Sequence, residues 1–291
     1  LIYKMMTART LSLVINQVNL LVETIFASTL VSGSLAVFNL ANNLQSFPVG
    51  IFGLSFAIAA FPAIAASAFD KERLVYYFSE ALRQIFYFII PSTVVLILLR
   101  AQIVRLVLGS GKFDWNDTIL TMNTLTFFAL SLFAQATIPL LVRFYYARHD
   151  SRTPLYLGLI ASAVNIVLNY YLVHSSLGVA ALALSFSLSS IVQFALLFIF
   201  LRIELGSLDE GLLFKSIGKM LLAASAAGLV IQLMKTWLGF SLEISFGWQL
   251  LLQFVLPAST GLAVYGIVTY WLKSPEILNL LKHVQGRLPW R

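Results

Sequence analysis

Glu23 is the only acidic residue inside the long apolar stretches of this 291-residue chain, and it does not stand alone. At helical spacing it closes a polar stripe of Ser12, Asn16, Asn19 and Glu23 along a segment otherwise made of Leu, Val, Ile and Phe. Similar stripes recur at Asn39, Asn42 or Asn43 and Ser46, at Ser162, Asn165 and Asn169, and at Ser185, Ser189 and Gln193. A carboxylate in hydrocarbon costs several kcal/mol unless it is paired, hydrated or protonated, so its presence there is a functional signal. Oxygens from Glu23, Asn165, Asn169 and Ser185 suit a hard monovalent cation such as sodium, while a lone Glu equally suits a proton. Spacing does not choose between them. The alternative for the amides and hydroxyls is interhelical hydrogen bonding, which membrane bundles use widely and which needs no carboxylate.

The elements that carry these stripes are membrane helices. Thr24 to Phe69 is a run of 46 residues without Asp, Glu, Lys or Arg, and Thr153 to Leu201 is one of 49 in which His174 is the only ionisable exception. A hydrocarbon core of about 30 Å takes about 20 apolar residues as helix, so each run holds two crossings. Hydrophobic residues make up 59% of the chain and charged ones 11%, with a mean hydropathy of +0.89, which rules out an ordinary soluble domain. With no cysteine, disulfides and thiolate metal sites are excluded.

Hydropathy and charge punctuation place eight helices near 10–30, 34–68, 84–100, 118–146, 153–173, 178–202, 216–236 and 248–272. The expected fold is an all-α polytopic membrane protein of eight transmembrane helices. Pro48, Gly50 and Gly53 predict a kink or local unwinding in the second helix, and Pro91, Pro139 and Pro257 fall inside other spans. The segment Asp70 to Arg83 interleaves charge with Leu74, Tyr77, Phe78 and Leu82, predicting either a cytoplasmic interfacial helix or a solvated helical linker. The C-terminal stretch presents Ile277, Leu280, Leu281 and Val284 on one face in the same manner.

Placing the N-terminus in the cytoplasm puts 15 of the 19 basic residues inside and leaves Arg100, Arg105, Lys112 and Lys235 outside, as the positive-inside rule requires. The C-terminus is then cytoplasmic too. The basic charge lies in thin loops facing anionic lipid, without a surface suited to nucleic acid. Gly109 to Phe113 lacks the spacing of a phosphate loop, and His149, His174 and His283 are scattered, so no enzyme chemistry is expected. The chain begins at Leu1, and its opening has no signal-peptide cleavage site. It is expected to be a fragment lacking an N-terminal part.

Five stretches carry a family resemblance: Gln17 to Ser34, Leu40 to Phe69 with its Phe-Pro-x-Gly break, Ile103 to Thr118, Arg143 to Pro154 and Leu177 to Gln193. In this order and spacing the chain resembles the MurJ/MviN lipid II flippases of the multidrug/oligosaccharidyl-lipid/polysaccharide exporter superfamily. The resemblance implies helices seven to fourteen of fourteen: a six-helix lobe over 1–202, then two accessory helices and a tail over 203–291. It implies movement of lipid II from the cytoplasmic to the outer leaflet of the bacterial cytoplasmic membrane by alternating access, with the N-terminal lobe in the same or a partner chain. The last two helices resemble those lining a groove for the undecaprenyl tail.

The resemblance also maps a cation site onto Glu23, Asn165, Asn169, Ser185 and the carbonyl of Ala181, and gives Asn16, Asn19, Asn39, Asn42 and Asn43 to the cavity. No organic cofactor is implied. Two positions depart from the family pattern: Asn169, where a carboxylate is common, and Asn43, where many members place a cavity arginine. Without that arginine, headgroup phosphate recognition falls to Arg143 or Arg9, or to the absent lobe. Alternatives are an exporter of another polyprenyl-linked saccharide or of a small solute, and a membrane scaffold that does not transport.

Overall fold

In hydrocarbon every backbone N–H and C=O must find a partner within the protein, so apolar runs of this length are driven into helices. The structure, a computed structural model, describes residues 17–109, 115–241 and 247–278. All the regular structure among them is helical. The first helix, α1, is described over 17–28. Then follow α2 (Ser34–Pro48), α3 (Ser55–Ala66), α4 (Lys71–Leu98), α5 (Arg100–Leu108), α6 (Trp115–Leu130), α7 (Leu132–Ala147), α8 (Arg152–Leu172), α9 (Val179–Leu205), α10 (Glu210–Ser241) and α11 (Trp248–Trp271).

Six of these units are long and apolar enough to cross a membrane: Ser34–Ala66 taken as one, α4, α8, α9, α10 over Glu210–Leu238, and α11. The bent pair α6 and α7 makes a seventh if counted as one span. The chain is thus a multi-pass membrane protein. The start of the expected first helix, with Ser12 and Asn16, lies outside the described residues, as do Arg9, Lys112, Leu280, Leu281 and Val284.

The break expected in the second helix is a π-helical turn, Val49–Leu54, between α2 and α3. Its position follows from Pro48, which has no N–H for the ladder, and from Gly53, whose missing side chain lets the turn rest on α7. Pro91, Pro139 and Pro257 lie inside α4, α7 and α11, which run through them.

Two boundaries differ from expectation. Asp70 to Arg83 is helical, as expected, but is continuous with the next span as the first half of α4, capped by the Asp70 carboxylate accepting from the Arg73 N–H at 3.2 Å. Leu74, Phe78 and Leu82 are buried in the helix bundle, and Tyr77 points outward. The packing face simply continues through the charged turn. The span expected at 118–146 is two helices that meet at Ser131 with a bend of 46°. There the Ser131 N–H bonds the Phe128 carbonyl at 3.2 Å, three residues back, which frees the Phe127 carbonyl. The Ser187 hydroxyl of α9 donates to that carbonyl at 2.7 Å, so the bend leaves no orphaned acceptor.

The core is built by α4, α6, α7 and α9 around Phe78, Phe128, Phe144 and Tyr145, with Phe78 edge-on to Phe144 at 5.0 Å. The Tyr145 hydroxyl donates to the Leu197 carbonyl at 2.9 Å, tying α7 to α9. At the turn into α8, His149 takes a positive φ of 61° and the Asp150 carboxylate accepts from the N–H groups of Arg152 and Thr153. The α10–α11 hairpin lies against α4 and is fastened at three levels. Glu276, buried just past α11, accepts from Ser216 and Ser274 at 2.5 Å each and faces Arg83 at 3.8 Å. Midway, the Tyr265 hydroxyl donates to the Tyr87 carbonyl at 2.9 Å. Farther along α10, the Lys235 ammonium donates to the Leu98 carbonyl at the end of α4 at 2.8 Å.

Candidate functional site

A cavity of about 430 Å³ opens between α1, α7, α8 and α9, with Val49 of the π-turn at one edge. Glu23 and Asn19 line it from α1, Ser162 and Asn165 from α8, Ser189 and Gln193 from α9, and Gln135 from α7. These positions are polar because the surrounding faces of the same helices are apolar and go to lipid or core: Leu20, Leu21 and Ile25 of α1 are exposed while Glu23 is buried. Period 3.6 thus turns three of the stripes toward one space.

The hydrogen bonding is rich in acceptors. The Asn19 amide donates to the Ser162 hydroxyl at 2.8 Å, joining α1 to α8. Asn169, fully buried, donates to the Asn165 carbonyl oxygen at 3.0 Å, and Asn165 donates to the Ser189 hydroxyl at 3.3 Å. The side-chain oxygens of Asn19 and Asn169 are left buried without a donor. An unmet buried acceptor costs about 1–3 kcal/mol, so the Asn19 oxygen in the cavity with Glu23, and the Asn169 oxygen behind Asn165, each favour a proton donor, water or a hard cation. The side chains that line the cavity beside Glu23 offer amide and hydroxyl oxygens and one carboxylate, a chemistry open to a proton or a hard monovalent cation alike. Among the described residues there is no cluster of three or more His, Cys, Asp or Glu, so a divalent-metal centre of that kind is not what these residues build.

The sequence-predicted residues divide clearly. Glu23, Asn19 and Asn165 line the cavity and Asn169 hydrogen-bonds to its wall. Ser185 and Ala181 are fully buried and bonded to each other, the Ser185 hydroxyl donating to the Ala181 carbonyl at 3.1 Å, and neither lines the cavity. Asn39 and Asn43 are exposed on α2 and face away from it. Asn42 turns inward, where it accepts from Gln45 at 2.9 Å. Arg143 sits between the lining positions Val142 and Tyr146 without lining the cavity, and bonds back to the Pro139 carbonyl at 3.3 Å.

Gln45, Gln135, Ser131 and Ser187 were not anticipated. Gln45 donates to Gln135, Gln135 to Ser131 and Ser131 to Ser187, at 2.9, 2.7 and 2.9 Å. Gln135 carries a side-chain amide in a largely apolar helix, a cue that could have marked it, whereas Gln45 is hidden among the other amides of α2, Asn39, Asn42 and Asn43. A second cavity, of about 1080 Å³, lies between α4, α7, α9 and α10. Its walls are apolar, with Phe86, Phe133, Phe194 and Phe198 on one side and Ile217 and Leu221 on the other, and α11 contributes none of its lining.

Comparison with known proteins agrees with this arrangement. The family model described as lipid II flippase MurJ matches residues 1–251. A probable lipid II flippase MurJ of Thermotoga maritima is 30% identical over 281 residues, 96% of this chain and 54% of that protein. A lipid II flippase MurJ of Burkholderia cenocepacia is 26% identical over 199 residues, 68% of this chain and 38% of that protein. The chain therefore spans about half the length of the Thermotoga relative and less of the other. Among solved structures, a lipid II flippase MurJ in an inward closed conformation superposes with a TM-score of 0.72 at 23% identity, covering 90% of this chain and 52% of that one. A MATE protein in its straight conformation gives 0.60 at 17% identity, covering 96% and 67%, so the helical arrangement extends beyond one family. With the family model matched over most of its length, this chain belongs to the lipid II flippase MurJ family.

Proposed function

We propose that this chain is the C-terminal part of a lipid II flippase, carrying the undecaprenyl-linked peptidoglycan precursor from the cytoplasmic to the outer leaflet of the bacterial cytoplasmic membrane. In this reading α1 is the first of eight crossings, residues 1–202 form a six-helix lobe, and 203–291 add two accessory helices and a tail. Both ends of the segment are cytoplasmic, as the 15 to 4 division of basic residues supports. A second lobe, in the same or a partner chain, closes the transport path by alternating access. The observation that carries the proposal is the membrane-embedded cavity in which Glu23 meets Asn19 and Asn165, with buried acceptors left unmet.

Mechanistically, Glu23 with Asn165 and Asn169 would hold a coupling sodium ion, or the Glu23 carboxylate alone a coupling proton. The Ser185 hydroxyl and the Ala181 carbonyl keep oxygen lone pairs while bonded to each other, so both could contribute where the site extends behind the cavity wall. Such an ion, when bound, supplies the positive charge that lets Glu23 stay in hydrocarbon. The chain's own part is to supply oxygens and exclude lipid from them. The apolar cavity beside α10 is of a chemistry suited to the polyprenyl tail, and Arg143 or Arg9 at the cytoplasmic side to the diphosphate.

The family resemblance implies a cavity arginine at the position of Asn43, and the neutral residue there favours a second reading in which another polyprenyl-linked saccharide or a small solute is the cargo. Complementation separates the readings. The complete gene is expressed in bacteria depleted of their own lipid II flippase, and growth and outer-leaflet lipid II are followed. Rescue that Glu23→Gln abolishes at unchanged membrane abundance is the expected result. No rescue by an inserted wild-type protein would reject lipid II as cargo, and full rescue by Glu23→Gln would reject the coupling role of the carboxylate.

A further inference from the structure

One side chain lines the Glu23 cavity and is hydrogen-bonded toward two places where helices of this lobe are broken. Gln135 lines the cavity. Its Oε1 accepts from Gln45 of α2 at 2.9 Å, and its Nε2 donates to Ser131 at the α6–α7 bend at 2.7 Å. Ser131 passes a proton bond to Ser187 at 2.9 Å, and Ser187 ends the chain on the Phe127 carbonyl that the bend sets free. On the other side, Gln45 spends both amide hydrogens, one on Gln135 and one on Asn42, immediately before the π-turn Val49–Leu54. The turn itself rests on α7 one residue beyond Gln135, because a Cβ on Gly53 would lie 2.6 Å from the Ala136 carbonyl oxygen.

We propose that Gln135 is a positioning residue for transport, transmitting occupancy of the Glu23 cavity to the α6–α7 bend and, through Gln45, to the π-turn of α2–α3. The inference rests on the coupling role proposed for Glu23. The physical basis is that the hydrogen-bond chain runs in one direction and is fully used except at Gln45, 1% exposed, whose Oε1 has no donor. A buried acceptor left in this state favours any rearrangement that brings it a donor, so the network is biased toward a second arrangement. Rotation of the Gln135 amide, prompted by a charge change at Glu23, would withdraw its bond from Ser131 and its acceptor from Gln45 in one motion. Both breaks lose a support together. π-turns and bent spans are the elements able to respond, since their ladders are already interrupted.

The test is hydrogen exchange by mass spectrometry on the full-length protein in nanodiscs. Sodium is exchanged for choline at constant ionic strength in one series, and alkaline for mildly acidic buffer in another. In the wild type, the effective condition is expected to change exchange about tenfold, a usual size for coupling between sites, in three segments: 162–169 around Asn165, 49–54 at the π-turn, and 128–132 at the bend. In Gln135→Leu the response at 162–169 persists and the other two vanish. The double variant Gln45→Met/Gln135→Met removes both amides at once, so neither is left opposite an unpartnered mate, and the partly exposed Asn42 can take water in place of Gln45; it is expected to uncouple in the same way while staying folded. Wild-type responses at both breaks in these variants would overturn the proposal. So would loss at all three segments, which would assign Gln135 to ion binding itself. No response to either series in the wild type would reject the coupling role of Glu23, and this inference with it.

Discussion

Gly53 and Gly50 occupy the same π-turn and offer a matched pair of perturbations. A Cβ built on Gly53 meets only backbone: the Ala136 carbonyl oxygen at 2.6 Å, its Cα at 2.7 Å and its carbonyl carbon at 3.0 Å. None of these can rotate aside. To restore ordinary contact, which begins at 3.4 Å, the turn and α7 must part by about 0.8 Å. A radial gap of 0.5–1 Å forfeits roughly a quarter to a half of the dispersion well for every atom pair it opens, and forced overpacking generally costs about 1–3 kcal/mol. A Cβ on Gly50 meets nothing within 4 Å. Each alanine also gains up to about 1 kcal/mol of helix propensity over glycine, and this gain cancels when the two variants are compared. Gly53→Ala is therefore expected to be less stable than Gly50→Ala by about 1–3 kcal/mol. The assay is reversible unfolding of the purified protein in mixed micelles, titrated with dodecyl sulfate and read by circular dichroism. Equal stabilities within about 0.5 kcal/mol would show that α7 does not approach the turn this closely, and would remove the contact on which the second break's link to Gln135 depends.

Two further predictions concern the fastening of the α10–α11 hairpin. Glu276→Ala strips the acceptor from Ser216 and Ser274 and leaves Arg83, with little exposed surface, facing no charge, so a loss of about 3 kcal/mol is expected, with new proteolytic cutting in the loop before α10; unchanged protease resistance would show that the hairpin is held elsewhere. The solvent-exposed pair Arg73 and Asp70 provides the contrast, Arg73→Ala changing stability by less than about 0.5 kcal/mol in the same unfolding titration. Lys235→Met removes a cation and hydrogen bond from the C-terminal carbonyl of α4 and should cost about 1–2 kcal/mol and speed amide exchange near residue 99, whereas wild-type exchange there would mean the carbonyl is satisfied without it.

Much of the helical order is legible along the chain because apolar runs in a bilayer have few alternatives. What cannot be read locally are the features settled by a distant partner. The π-turn is foreseeable from Pro48, Gly50 and Gly53, since proline and glycine act on the backbone at their own positions. The bend at Ser131 has no such marker. Pro139, the residue that would suggest a break in that span, is carried inside a continuous α7. The bend depends on Ser187 of α9, which satisfies the Phe127 carbonyl, and no local pattern within α6 and α7 announces a hydroxyl on another helix. Likewise the charges of Asp70 to Arg83 suggest an element on the membrane surface. They are compatible with a buried half-helix because Arg83 meets Glu276 from the far end of the chain and Asp70 serves as a cap.

The same distinction runs through the candidate site. Period 3.6 identifies faces, and Asn19, Glu23, Ser162, Asn165, Ser189 and Gln193 come together because each lies on the polar face of its helix. Periodicity cannot say which hydroxyls are already spent. Ser185 shares the stripe of Ser189 and Gln193, yet its hydroxyl is bonded to the Ala181 carbonyl four residues back and stays out of the cavity. Nor can it rank neighbours on one helix: Asn42 and Asn43 are adjacent, and the way α2 packs leaves Asn43 exposed while Asn42, partly buried, accepts from Gln45 one turn farther along the same helix. Gln45 and Gln135 gain their meaning from each other. In isolation Gln135 is one amide in a largely apolar helix and Gln45 one of several on α2; paired, they run from the wall of the cavity that Glu23 also lines toward two interruptions of the lobe's backbone. A carboxylate that had only to be tolerated would require nothing more than a donor nearby. One whose cavity is wired to two broken helices is placed where a change in its charge can be felt as a change in shape.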